Sequence, residues 1–426
     1  MNRATWLDGL RGIAAAIVAT DHYFMGSVLD AGFRSFWSEP PEENRMLIQL
    51  PPIRLLFTAH AMVCLFLVIS GYAISVNLLR MRHANTAEFL RRVSSAATRR
   101  VLRIYLPVFF MAVISQILFF CNLYQWDFGD DVVWGRKPWT APWFHVEFVF
   151  RYMLDNFNIL TFQNNGGLNG QLWTMPMEFR GSCIIYLVIV ALAFWRPLPR
   201  RVALAALIMY WFYFGVWDVM GFLAGLLLAE IHVASESALS ESLAPYRGSK
   251  APSIDWATIY TCLCFVFGIW LVCLDDEGVL SPGYQFLEIA ESSRWDHSRD
   301  IIGRIWKTVG SILLVYAISK SAHLQRPFNS APVQYLGKIS FSLYLVHQSI
   351  YHLIRDPIRN ALFYMAAREA YSVASASNRP VASAFAWITC YFILSPINIY
   401  AAHLYTKHID ERCIQLAKMF DKWVSS

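Results

Sequence analysis

An arginine and a histidine stand eleven residues apart in one apolar stretch near the amino terminus. They are Arg11 and His22, within a segment that opens Leu7-Asp8-Gly9-Leu10 and closes Asp21-His22-Tyr23-Phe24. Eleven residues at about 100° each return to within about 20° of the same helix face, roughly 16 Å apart along the axis. An ionisable side chain at membrane depth costs roughly 3 kcal/mol, so a face that carries both marks a functional path by default. Imidazole titrates near neutrality and suits a general base that takes a proton from a hydroxyl, which makes His22 the candidate base. Arg11 lies near the start of its span. It is either a snorkelling anchor or a grip for a phosphate or for negative charge on a carbonyl oxygen.

Three further sets could share that chemistry. Glu178 lies a few residues into a later span, on the side toward which His22 points, and is expected to orient the imidazole or offset its charge. Asp21 is the rival partner, but one residue turns it about 100° from His22 around the helix. Ser340, Tyr344 and His347 fall at i, i+4 and i+7 and share one face. In a bilayer such a stripe faces the bundle interior, as helix glue or as site lining. Arg99, Arg100 and Arg103 close a basic joint from Arg80 to Arg103 that holds seven arginines against one acid, Glu88. Guanidinium forks bind phosphate bidentately, and the same arginines act as determinants of topology. Ser70 and Gly71 are expected to allow close helix approach, and Arg304 to pair with an acid.

The elements that must position these residues are membrane helices. The chain is 56% hydrophobic and only 15% charged, against about 25% charged in ordinary soluble proteins. Apolar segments near spanning length recur at about 8–29, 55–79, 104–122, 172–195, 201–216, 218–233, 256–274, 301–319, 333–354 and 383–405. They predict an all-α polytopic bundle of about ten transmembrane helices, one domain over 1–426. The basic joint 80–103 is cytoplasmic by the positive-inside rule; counting outward, both termini are cytoplasmic and the acidic joint 275–300 is external. The stretch 201–233 is long for one helix and short for two crossings; Gly215 and Asp218 favour a turn. The external joint 123–171 contains a Gly-rich turn from Asn164 to Gly170 and is expected to be a lid, an acceptor platform or a structural cap. The formal charge of +6 reflects arginines beside apolar runs and does not imply nucleic acid. The eight cysteines read as small core residues without zinc-finger spacing, so no metal site is expected. The first apolar run reads as a retained span, not a cleaved signal.

The motifs also bring a family into view. LDGLRGIAAAIVATDHYF from Leu7, FLVISGY from Phe66, RRVLRIYLP from Arg99, QLWTMPMEFRGS from Gln171 and LGKISFSLYLVH from Leu336 stand in an order that resembles the acyltransferase type 3 family. The resemblance covers nearly the whole chain and is nearest to the fungal form. It implies an integral membrane enzyme that moves acyl groups from coenzyme A to hydroxyls, with acyl-CoA, as acetyl-CoA or another short thioester, as co-substrate. It also implies an essential role for the matching Arg11 and His22. The expected partners are the lipid bilayer, acyl-CoA and a hydroxyl-bearing glycan, lipid or small metabolite. Direct transfer, without an acyl-enzyme, is expected. The alternatives are a proton-coupled secondary transporter that uses the same intramembrane charges, and a non-enzymatic receptor or scaffold. The sequence does not separate plasma membrane from endomembrane.

Overall fold

The computed structural model describes residues 4–25, 29–82, 85–160, 167–241, 255–275, 281–295 and 298–425. Asn164, Asn165 and Gly166 of the Gly-rich turn lie outside them, as do Asp276, Glu277 and Asp296 of the acidic joint. Among the described residues there are helices and no strands. Twelve longer helices are labelled here: α1 (Thr5–Phe24), α2 (Ala59–Arg80), α3 (Thr86–Phe120), α4 (Pro142–Phe157), α5 (Met175–Ala191), α6 (Pro197–Tyr213), α7 (Trp217–Glu241), α8 (Trp256–Val272), α9 (Arg299–Lys320), α10 (Ala331–Ala367), α11 (Pro380–Tyr405) and α12 (Glu411–Ser425). Each of the ten predicted apolar segments falls largely on a helix, and among the described residues six helical stretches are long and apolar enough to cross a membrane.

The chain divides into two compact units. The first holds residues 1–14, 32–97 and 180–337; the second holds 15–31, 98–179 and 338–426. In the first unit α2 packs along α7, and α8 along α9. Glycine allows the closest of these approaches. A Cβ on Gly71 would stand 2.2 Å from the Phe222 carbonyl oxygen, and one on Gly225 would stand 2.3 Å from that of Val68. The small residue in FLVISGY therefore sets a helix crossing, as expected.

The stretch 201–233 is two helices. The chain leaves α6 through Gly215, whose φ of +73° suits only glycine well. The Val216 amide donates to Trp211 O at 3.0 Å and the Gly215 amide to Phe212 O at 3.1 Å, a Schellman end that satisfies the last carbonyls of α6. Trp295 Nε1 donates to the same Phe212 carbonyl at 2.9 Å. Asp218 opens α7, where an acid suits the helix dipole, and accepts from Arg180 at 2.6 and 3.1 Å. Arg304 pairs with Asp300 at 2.8 Å, one turn earlier on α9.

In the second unit the later part of α1 is joined to α10 and α11 through hydroxyls. Tyr351 Oη donates to Ala19 O at 2.9 Å, Tyr23 Oη donates to Trp387 O at 2.8 Å, and the Thr20 and Tyr391 hydroxyls share a bond of 2.8 Å. The described residues of the joint 123–171 fold as α4, a one-turn helix at Asp130–Val133 and turns. Its His145 Nδ1 accepts from Gln116 at 2.7 Å, and its Nε2 lies 2.9 Å from Thr140 Oγ1. The terminal α12 buries Cys413 and Ala417 and leaves Leu416, Met419, Phe420 and Trp423 exposed.

Candidate active site

The centre of the second unit is a pair of histidines. His22 Nδ1 lies 2.8 Å from His347 Nε2, with the two ring planes within 9° of parallel. His347 is fully buried, whereas His22 is half-buried, so the pair has a sealed member and a reachable one. His347 Nδ1 is 3.1 Å from the Leu343 carbonyl oxygen, one turn back on α10. A carbonyl only accepts, so His347 Nδ1 carries a proton. In the neutral ring Nε2 then accepts from His22 Nδ1–H, and the lone pair of His22 resides on Nε2. Gln348 Nε2 is 3.5 Å from His22 Nδ1, at the edge of bonding distance.

The predicted stripe on α10 faces inward. Ser340, Tyr344 and His347 are all buried. The Tyr344 hydroxyl donates to Gln171 O at 2.6 Å and lies 2.8 Å from Thr174 Oγ1. Gln171 Nε2 in turn donates to Leu345 O at 2.8 Å, while its Oε1 is buried with no hydrogen-bond partner. Glu178, three residues after Met175 opens α5, forms an ion pair with Arg100. Glu178 is the partner expected for His22 from the sequence. The ring that the structure sets against it is His347, one of the residues taken from the stripe.

The remaining predicted residues sit as follows. Arg99 is 3.5 Å from Asp421 on α12, and Arg103 is exposed one turn further along α3. Both belong to the same unit as the histidine pair. Arg11 lies in the first unit, where its guanidinium donates to Gly337 O at 3.4 Å. There α1 meets the start of α10 so closely that a Cβ on Gly12 would stand 2.4 Å from the Gly337 amide nitrogen. Sequence reasoning did not single out Tyr351, Thr20, Tyr391, Gln171 or Thr174. Tyr351 had a legible signal, because it continues the 340, 344, 347 stripe by one more turn. The others depend on which helices become neighbours.

A helical bundle with helices long and apolar enough to cross a membrane, holding a buried histidine against a half-buried one, belongs to the class of helical membrane-type proteins. The particular family follows from comparison: a model of the acyltransferase domain family matches residues 4–395, and this chain belongs to that family, acyltransferase type 3. Among curated proteins it is similar to O-acetyltransferase PaAT-1 of Phomopsis amygdali, with 27% identity over 385 residues, 82% of this chain and 72% of that protein. It is also similar to acyltransferase clz18 of Cochliobolus lunatus, with 26% identity over 393 residues, 80% of this chain and 81% of that protein. No solved structure matches. The family and these relatives support an O-acyltransferase.

Proposed function

We propose that this protein is a multi-pass membrane enzyme that moves an acetyl or other short acyl group from acyl-CoA to a hydroxyl of a glycan, lipid or small metabolite. The observation that carries the reading is the 2.8 Å contact of His22 Nδ1 with His347 Nε2. It leaves the basic lone pair on the reachable ring and its orienter sealed, the arrangement general-base catalysis needs. The acceptor hydroxyl gives its proton to His22 Nε2 as its oxygen attacks the thioester carbonyl carbon. The tetrahedral oxyanion collapses, the C–S bond breaks, and the His22 imidazolium returns the proton to the coenzyme A thiolate. The products are an ester and free coenzyme A. His347 holds the tautomer and shares the positive charge that develops on His22, the service an orienting group performs for a catalytic histidine.

In this reading both termini and the 80–103 joint face the cytoplasm. The nucleotide of acyl-CoA stays there against Arg103 and the neighbouring Arg99 and Arg100, and its thin pantetheine arm enters the bundle. Arg11 grips a donor phosphate or the carbonyl oxygen. Glu178 fixes the Arg100 fork, and Ser340, Tyr344 and His347 line the interior where the acceptor hydroxyl arrives. The O-acetyl transfer named for PaAT-1 supports acetyl as the group moved. No metal and no nucleic acid enter the reaction.

The test is thioester turnover and label transfer from radiolabelled acetyl-CoA in membranes that carry the wild-type chain or a stably expressed His22→Ala variant. Label that enters a lipid, glycan or metabolite fraction only with the wild type supports the reading. Equal turnover in both removes His22 as base. Flux that follows an ion gradient, without acyl-CoA dependence, would instead favour transport.

A further inference from the structure

Away from the histidine pair, the first unit contains a second cluster of buried charge. At one end of the α2, α6 and α7 bundle, Arg82 and Arg200 close on the same carboxylate, Glu230. Arg82 donates to Glu230 Oε2 at 2.7 Å, and Arg200 donates to Oε1 through Nε at 3.1 Å and through its terminal nitrogen. The side chains of all three are at most 9% exposed. Arg200 is fully occupied, since its remaining nitrogen donates to Trp195 O at 2.6 Å. Arg82 is not. Its Nε and one terminal nitrogen are buried without a hydrogen-bond partner, and so is Nε of the neighbouring Arg201.

Arg82, Arg200 and Glu230 line a crevice whose other walls include Leu79, Leu192 and Leu204, and Arg201, next in the chain to Arg200, places its charge near Arg82. At its floor there is room for about one water-sized group. The charges do not cancel: two guanidiniums close on one carboxylate, and a third, Arg201, stands near Arg82. A buried ion triad with unmet donors is costly unless something satisfies them. A water would meet a donor but leave the surplus positive charge, whereas one oxygen of an oxyanion does both. The rest of such a head would lie in the open mouth, and a hydrocarbon tail would follow the leucine wall. Arg82 lies two residues past the end of α2 and Arg200 in the first turn of α6. That is the level at which a spanning helix meets lipid headgroups, where basic pockets between helices bind anionic lipid heads.

We infer that the Arg82–Arg200 crevice, with the Arg201 charge beside it, is a binding site for a phosphoryl oxyanion, supplied by the headgroup of an anionic phospholipid. The site lies outside the acyl-transfer machinery assigned above and does not depend on it.

The test uses the full-length protein, purified in neutral detergent and stripped of lipid. Thermal unfolding and native mass spectrometry are followed as phosphatidylglycerol, phosphatidylcholine or inorganic phosphate is added at matched ionic strength. Phosphatidylglycerol should raise the unfolding midpoint and remain bound in the mass spectrum, with an apparent affinity about tenfold weaker in Arg82→Gln, the loss expected for one charged hydrogen-bond partner. Arg201→Gln breaks no ion pair described for this chain, so it should fold and show the same direction of change. It carries the test if Arg82→Gln does not fold. A shift produced equally by inorganic phosphate keeps the oxyanion site and assigns its source to solution. Equal shifts with phosphatidylcholine, or no difference between wild type and Arg201→Gln, would overturn the inference.

Discussion

Replacing His347 by phenylalanine keeps a flat ring in the α10 interior but removes the acceptor for His22 Nδ1–H. In the wild type that acceptor stands 2.8 Å away and is itself held by the Leu343 carbonyl. Without it, a half-buried donor is left unmet or the imidazole turns to find another partner, at a cost of about 1–3 kcal/mol. If that cost falls on the reactive geometry, kcat drops roughly 5- to 150-fold, since about 1.4 kcal/mol is a factor of ten. KM for acyl-CoA should be unchanged, because no donor contact is assigned to His347. His347→Gln provides the internal control. Its side-chain carbonyl can accept the same proton, so most of the rate should return without an imidazole. The assay is label transfer from acetyl-CoA in membranes with matched protein levels, with kcat and KM separated. The reasoning fails if His347→Phe keeps its kcat, or if KM alone rises. A Gln variant as impaired as the Phe variant would mean that His347 serves as a proton carrier and not as an orienter.

Four other outcomes follow from the structure. Tyr344→Phe loses bonds to Gln171 O and Thr174 Oγ1 and should cost about 1–2 kcal/mol of stability with kcat within about threefold; a hundredfold loss would make the phenol part of the chemistry. Gly225→Ala forces a methyl to 2.3 Å from Val68 O and 2.6 Å from the Tyr72 amide nitrogen, so thermal unfolding in detergent should drop by about 3 kcal/mol. Gly303→Ala, whose nearest neighbour would be 3.9 Å away, should be neutral or slightly stabilising. Burial, and then the nearby Arg136 charge, pull the His145 pKa below its ordinary 6.5. The unfolded chain therefore binds that proton first, and stability should fall as pH drops below about 6.5 toward the folded value. Limited proteolysis of the 123–171 segment against pH would report this loss, and His145→Gln should flatten the dependence.

The sequence was most legible where periodicity and membrane length act together. The helices and the inward face of 340, 344 and 347 depend only on helical spacing and the cost of polar groups in lipid, and both can be read from one chain. The split at 215 was half legible: Gly215 and Asp218 suggested a turn, but the Schellman end that makes two helices requires the carbonyls of Trp211 and Phe212 to be seen. The contact of His22 with His347 was not legible. Position along the helices put Glu178 and His22 at one depth, and depth says nothing about which side chains face each other across a bundle. Likewise, Arg82 and Glu230 are 148 residues apart; nothing local in the sequence links them.

The terminal helix α12 has a consequence for depth. Its exposed Leu416, Met419, Phe420 and Trp423 recur at three- and four-residue steps, and Lys418 and Lys422 stand between them. The division suits the headgroup level of a membrane, with the apolar side toward the acyl chains and the lysines toward water. Its Asp421 lies 3.5 Å from Arg99, so the helix is moored to the start of the Arg99–Arg103 run. Wherever α12 settles, that run settles with it. The tail is therefore a second tie on the arginine run, and shortening it by its last two turns should remove the Asp421 partner of Arg99.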